Sequence, residues 1–482
     1  MRFPGFVGGT YGNRSVSADC QRCVNLYPEI NEPRNAANGE IAALFSTPGE
    51  TLLGTIGTGP IRGLFLAGNG TLFCVSGTGL YQVSTTWTGR LLGNLGTPTG
   101  RVQFADNGAQ LIVTDGQAYV WTYATSTFQT LQGASGWLGS NCVAYLDQWG
   151  FFAQPGTNII YSSNQLDFNT YNGLNTAYKI GFNDPIVSVI ADHQYVWFLG
   201  QSTSEPWYNA QNAPPGIVIS RVPGGMLQLG CCSPNSPQQV MNTLIFLGDG
   251  QHGAGVVWQI QGITPTRIST HAVEIALQGY GYTNLQKATA WTYEQNGHGF
   301  YCLNVPGAPT TWVYDVVTGL WHERVFLTSN GIEQRELPDC HAWFNGWHVV
   351  GDYTSGNLYG LDMANFTANG NPIRRLRRSP HFSSDLVRLF YEYFQLDMET
   401  GVGLDGSGPG SAPLINLRYS DDAGHTWSPY RTVSAGPIGG YQTRAKWWRL
   451  GQSRNRVWEV SMTDPVSLTI LGAELGATKG TS

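Results

Sequence analysis

From Ile61 onward the chain repeats clusters of four short strand-forming runs, each cluster filling roughly 35–50 residues, and that period constrains the fold more than any other feature. The first cluster reads RGLFLAG, TLFCVSG, GLYQVS and GRLLGNL, ending at Leu95. The second lies between Val102 and Leu131, the third starts at Asn141 and the fourth at Ile186. The fifth contains TLIFLGDG and GAGVVWQIQG, and the sixth opens on KATAWTY. The seventh runs from CHAWFNGWHVVGDY through NLYGLDM and is expected to close on PIRRLRRS. Asn-Gly and Gly-Thr-Gly between the runs are tight-turn chemistry, so each cluster predicts an up-and-down antiparallel sheet. Such small sheets bury their apolar faces only against one another, which predicts a β-propeller of about seven blades, with six as the alternative. Between the fifth and sixth clusters, HAVEIALQGY predicts one helical insertion.

Composition enters as a check on that reading. The chain has 62 glycines, 16 Trp, 23 Tyr and 20 Phe with only 12% charged residues. A disordered chain needs the opposite balance, high charge and few aromatics. The formal net charge of −6 argues against a generic nucleic-acid coat. Of the 26 basic residues nearly all are arginines, whose planar fork suits interfaces better than lysine does. The eight cysteines are scattered, and Cys20/Cys23 is a lone C-x-x-C without a second pair at zinc-site spacing. They are expected to be reduced and structural, as in a protein made in a reducing cytoplasm. MRFPGFVGGTYG lacks the apolar core of a signal peptide, and no apolar run reaches the ~20 residues that span a bilayer. No membrane anchor is expected.

Three parts follow: an extended, turn-rich N-terminal arm over 1–50, the propeller over 51–382, and a C-terminal β-sandwich-like domain over 383–482. The last is read from six alternating runs, FYEYFQLDME, LINLRYS, SPYRTVSA, TRAKWWRLG, RVWEVSMT and VSLTILGAEL. The joint is IRRLRRSPHFSSDL, with Arg374, Arg375, Arg377 and Arg378 followed by a helix-start signal at Ser383-Ser384-Asp385. Burying four unpaired charges costs several kcal/mol each. The four arginines are therefore expected to meet acids of this chain or a neighbour, or solvent, and are assigned to an interface.

The sharpest local motif is Ser420, Asp422, Gly424, Thr426 and Trp427 within SDDAGHTW, the S-x-D-x-G-x-T-W Asp-box of sialidases and related propellers. Ser and Asp side chains bind the backbone of a tight hairpin, Gly permits the left-handed turn and Trp plugs beneath it. It is read as a structural turn, not as chemistry. Gly401-Val-Gly403-Leu-Asp-Gly406 satisfies G-x-G-x-x-G, but Ser-Gly-Pro-Gly follows where a dinucleotide site needs a helix. His252, His271, His298, His322, His341 and His348 show no metal-ligand spacing, and acids such as Asp106, Asp115 and Asp315 adjoin turns. No nucleophile elbow, Walker loop or paired-acid signature occurs. No catalytic, cofactor-binding or metal-binding residue is assigned, and the chain is read as a non-enzyme without cofactor.

Taken together, VGGTYGNRSVSADCQRCVNLYPEINEP, STPGETLLGTIGTGPIRGLF, RISTHAVEIAL, IRRLRRSPHFSSDL and LRYSDDAGHTWS resemble the packaged-DNA stabilisation, or tail hub (nozzle), family of short-tailed bacteriophages. The resemblance runs over nearly the whole chain. It implies a virion component of the tail, assembled in the host cytoplasm as a homo-oligomeric ring, six copies by the family's pattern, below the portal–adaptor complex. Such a ring prolongs the channel for packaged double-stranded DNA without reading its sequence, helps retain the genome, and receives spike, fibre or needle proteins. The N-terminal arm and C-terminal domain are expected to make most subunit contacts, the arm gaining burial mainly on a partner. The alternative is a carbohydrate-binding or sialidase-like propeller protein of the tail. A hydrolase of that kind would need two convergent carboxylates about 5–10 Å apart.

Overall fold

The computed structural model describes residues 1–30, 41–131, 137, 139–212, 216–249, 253–384 and 387–480. Asp385, Leu386 and His252 fall outside them. The four-run clusters form seven antiparallel blades. Their innermost strands are Ile61–Leu66, Gln103–Asp106, Val143–Leu146, Ile186–Asp192, Gln238–Val240, Thr289–Gln295 and Pro338–Phe344.

The ring follows from strand alternation. Side chains point to opposite faces at every step of a strand. On Leu72–Ser76, Phe73 and Val75 pack toward the second blade while Leu72 and Cys74 pack toward the seventh. Val196 and Phe198 face the third blade, Trp197 and Leu199 the fifth. Seven apolar clusters result, one between each pair of neighbouring blades including the seventh and first. The second strand of a blade, such as Leu72–Ser76, Gln110–Thr114 or His298–Asn304, is buried on both faces, which explains why these runs read as continuously apolar rather than alternating. The helix His271–Gly279 forms where HAVEIALQGY predicted it, its N-terminus capped by Thr270, with Val273 and Leu277 buried between the fifth and sixth blades.

The seventh blade differs from the sequence expectation. Its outer strand is Gly49–Thr55, paired antiparallel to Asn357–Asp362, and not PIRRLRRS. An N-terminal strand in the last blade fastens the ring by backbone hydrogen bonds. At Gly49 a Cβ would lie 2.3 Å from the Asn365 carbonyl oxygen, so only glycine fits that seam. On the same strand Glu50 is buried, and one carboxylate oxygen has no hydrogen-bond partner. Burial, then Glu336 and Asp352, push its pKa well above the usual carboxylate value, opposed by Arg324. The folded chain holds a proton that the unfolded chain releases, so stability falls as pH rises above about 4.5. Glu50→Gln should therefore stabilise the protein at pH 7.5 by about 1 kcal/mol or more. The gain should shrink toward pH 4.5; urea midpoints identical to wild type at both pH values would contradict this.

The propeller axis is crossed by protein. Pro234, on the segment leading into the fifth blade, accepts hydrogen bonds from Gln103 of the second blade at 2.9 Å and Ser188 of the fourth at 2.8 Å. Asn235 accepts through its backbone from Ala290 of the sixth. Gln103 also accepts from the Val143 amide.

The C-terminal domain is a two-layer sandwich containing all six predicted runs. One layer orders Ala445–Trp448, Leu389–Met398, Ile470–Lys479, Ile41–Ser46 and Leu26–Ile30; the other joins Arg431–Ser434, Leu414–Ser420, Asn455–Met462, Arg375–Arg378 and Cys20–Val24. The N-terminal segment is thus extended, yet Phe3, Phe6, Leu26 and Leu44 lie in the sandwich core with Phe394, Trp447 and Trp458. Among the described residues its burial comes from its own chain, which corrects the expectation that a partner would supply most of it. Phe382–Ser383 pairs with Arg456 and Asn455 as strand, so the capping residues there begin no helix at Ser383. All eight cysteines are buried and unpaired. No helix among the described residues is long and apolar enough to cross a membrane.

Candidate functional site: the arginine joint

The Arg375–Arg378 strand lies within a layer of the sandwich, pairing with Asn455–Met462 on one side and Cys20–Val24 on the other. Cys20–Val24 in turn bridges to the sixth blade at Glu323. Alternation divides the four arginines into two kinds. Arg375 and Arg377 point inward and are almost fully buried, as 1% and 0% exposures show. Among the described residues neither meets a carboxylate. The guanidinium of Arg375 donates to the carbonyls of Val466 and Asp464. That of Arg377 donates to the carbonyls of Gly5, Phe6, Gly9 and Arg22 and to the Gln21 side chain. Sequence reasoning expected acids or solvent; backbone carbonyl dipoles replace both here. Burial pulls both guanidinium groups down to about 10, so they stay charged at neutral pH.

Arg374 and Arg378 face the other way, into an ionic network. Glu459, with a fully buried side chain, accepts from Arg378 at 2.6 Å and Arg418 at 2.6 Å, with Arg374 at 3.6 Å. Arg374 also meets Glu333, which binds Arg22, which binds Glu323 of the sixth blade. Four guanidinium groups and three carboxylates thus run without a break from propeller to sandwich. Desolvated pairs of this kind are held by fork geometry more than by net energy, and they fix register.

The Asp-box lands on the same site. Asp422 accepts from Ser420, from the Thr426 amide and from the Thr426 hydroxyl, and the Gly424 amide donates to Ser420. Trp427 is half-buried against the guanidinium groups of Arg378 and Arg418, 4.6 and 4.7 Å from its ring. At Gly424, in the left-handed region, a Cβ would come within 3.2 Å of the Cys20 sulfur, so the turn also abuts the N-terminal segment.

Two participants, Glu459 and Asn25, escaped sequence reasoning. Glu459 sat unnoticed in an alternating strand. Asn25, left-handed and buried, accepts from the Val325 amide and donates to the carbonyls of Val325 and Arg374, tying blade to joint. An asparagine within CVNLYPEI was the available signal, because Asn tolerates that conformation. His298 of the sixth blade joins Asp315 at 2.7 Å and Glu29 of the N-terminal segment at 2.9 Å. The Asp315 hydrogen bond, against burial and with Glu29, raises its pKa to about 9. That contribution to stability is complete below about 6.5 and is lost as pH rises through 9. The ring should titrate near 9 by NMR; a midpoint near 6.5 would overturn the assignment. His322, also sought by sequence, is buried and held neutral, chiefly by desolvation. Among the described residues no group of three or more His, Cys, Asp or Glu is arranged to hold a metal.

Comparison with known proteins decides the family. The family model for the bacteriophage P22 Gp10 β-propeller matches residues 7–365, and the model for the P22 Gp10 β-sandwich matches residues 374–478. The chain belongs to the P22 Gp10 family. It is a structural protein of the phage tail, in the stabilisation and nozzle group, and the sialidase-like alternative is not favoured. The two family segments meet at the arginine joint. No curated protein sequence matches the chain.

Among solved structures, the extracellular domain of the putative one component system BT4673 from B. thetaiotaomicron is 11% identical with a TM-score of 0.44, over 80% of this chain and 48% of that one. The Neurospora crassa Pan2 WD40 domain is 10% identical with a TM-score of 0.42, over 65% and 95%. The N-terminal domain of Nup159 is 10% identical with a TM-score of 0.40, over 71% and 98%. The chain spans about half the length of the BT4673 structure. At these scores the likenesses carry no argument about function.

Proposed function

We propose that copies of this chain form a closed homo-oligomeric ring, six by the family resemblance, in the tail below the portal–adaptor complex. Packaged DNA runs through the space between copies and not through any propeller. The blocked axis carries this reading. Gln103, Ser188 and the Pro234-Asn235 segment meet across it within hydrogen-bonding distance. A duplex whose major groove alone is about 12 Å wide does not pass such a gap.

A channel must let the genome slide, and each phosphate neutralised adds salt-dependent affinity. The net charge of −6 supports a lumen wall that is neutral to acidic. Subunit contacts are assigned chiefly to the C-terminal domain, where Ile438, Tyr441 and Trp448 stand exposed. Spike, fibre or needle proteins are the distal partners, and no hydrolytic step is assigned. Assembly in the host cytoplasm accords with eight unpaired thiols. An image of the intact tail at subunit resolution tests the proposal, with a ring and a central lumen expected. A single copy per tail, or a lumen ringed by arginines holding phosphates, would sink it.

A further inference from the structure

We propose that His341 and His348 form a two-imidazole site for one borderline divalent cation of the zinc, nickel or copper class, at a mouth of the propeller. The two residues lie diagonally across the paired strands Pro338–Phe344 and Trp347–Asp352, where Trp343 is opposite His348 and His341 opposite Val350. This pairing puts both rings on one face.

The His341 Nε2 and the His348 Nδ1 are 3.1 Å apart. Two imidazole nitrogens binding one ion at about 2.0–2.1 Å are separated by roughly 2.9 Å at a right angle and 3.3 Å at the tetrahedral angle. The observed spacing falls between those limits. It equally fits a simple hydrogen bond, which is the reading the test must separate.

Two further observations favour the ion. The rings are held in place: Tyr293 packs against both, and Trp343 stands edge-on to His348 with ring centres 4.6 Å apart.

The pair also opens onto a cavity of about 490 Å³ shared with Gln239, Thr292 and Glu294. Two protein ligands leave coordination positions open to water or to a side chain of a docked partner. Imidazole donors select this class of metal over magnesium or calcium, which prefer oxygen.

The test uses the untagged full-length chain, one equivalent of Cu²⁺ at pH 7.5, pulsed electron paramagnetic resonance and calorimetry. One copper coupled to two imidazoles is expected. His348→Phe should reduce the coupling to one nitrogen and weaken binding roughly tenfold or more. His271→Ala, which removes a surface imidazole on the inserted helix, should change neither. A wild-type spectrum with a single imidazole overturns the proposal without recourse to any variant. So does copper binding that His348→Phe leaves unaltered.

Discussion

Arg377→Ala should detach the N-terminal segment from the sandwich while leaving the seven blades closed. The wild-type guanidinium satisfies four carbonyls spread over Gly5 to Arg22 and one glutamine side chain, all inside the protein. Alanine leaves a void with several orphaned acceptors, each costing about 1–3 kcal/mol where water cannot reach. The expected loss is on the order of 3–5 kcal/mol, borne by the sandwich and its N-terminal strands. Hydrogen exchange resolves it: amides of residues 20–30 and 470–479 should exchange much faster, those of the second and third blades at the wild-type rate. Lysine should not rescue, since an ammonium cannot reach so many acceptors in a plane. Uniform exchange across both domains would refute the local role assigned to this arginine.

Glu459→Ala is expected to do comparable damage by the opposite route. It leaves Arg374, Arg378 and Arg418 facing one another over a buried vacancy. Breaking a buried pair typically costs about 3–5 kcal/mol, because the remaining charge is uncompensated. Here the arginine side chains keep 16–21% exposure, so the lower end applies. A double-mutant cycle makes the claim quantitative. With Glu459→Leu in place, Arg418→Met should cost far less than it does alone, since the partner is already gone. Additive effects would show that Glu459 and Arg418 are not coupled. Glu333→Ala, whose carboxylate is farther out, should cost less than about 1 kcal/mol.

How much of this was legible beforehand differs between the two domains. The blades were readable because each is local: four runs, tight turns and a fixed period within some forty residues. Alternation in the sandwich strands was equally visible, and so was the helix at His271. The joint was not. Its strand pairs Arg375 with Met462 and Arg377 with Cys23, residues remote in sequence, and no periodicity announces such a register. The closing strand Gly49–Thr55 was missed for the same reason. Four arginines within five residues did mark the joint. Their division into carbonyl-bound and carboxylate-bound pairs needed knowledge of which face met which layer.

The sandwich has one further consequence, which concerns time. Leu44 pairs with Ile470, and the Phe3 amide donates to the Ala473 carbonyl. At roughly 5–20 residues per second, a ribosome takes about 20–90 s to travel between those partners. Throughout that interval Phe3, Phe6 and Leu26 have emerged while the strands that cover them do not yet exist. Each blade can settle as it appears, but the layer built from both halves must wait for the last stretch of synthesis. An uncovered apolar strand with open edges invites pairing with other chains. The nascent protein is therefore most vulnerable near its beginning and rescued only near its end, so slowed translation of the sandwich should reduce the yield of folded chain even when every blade is intact.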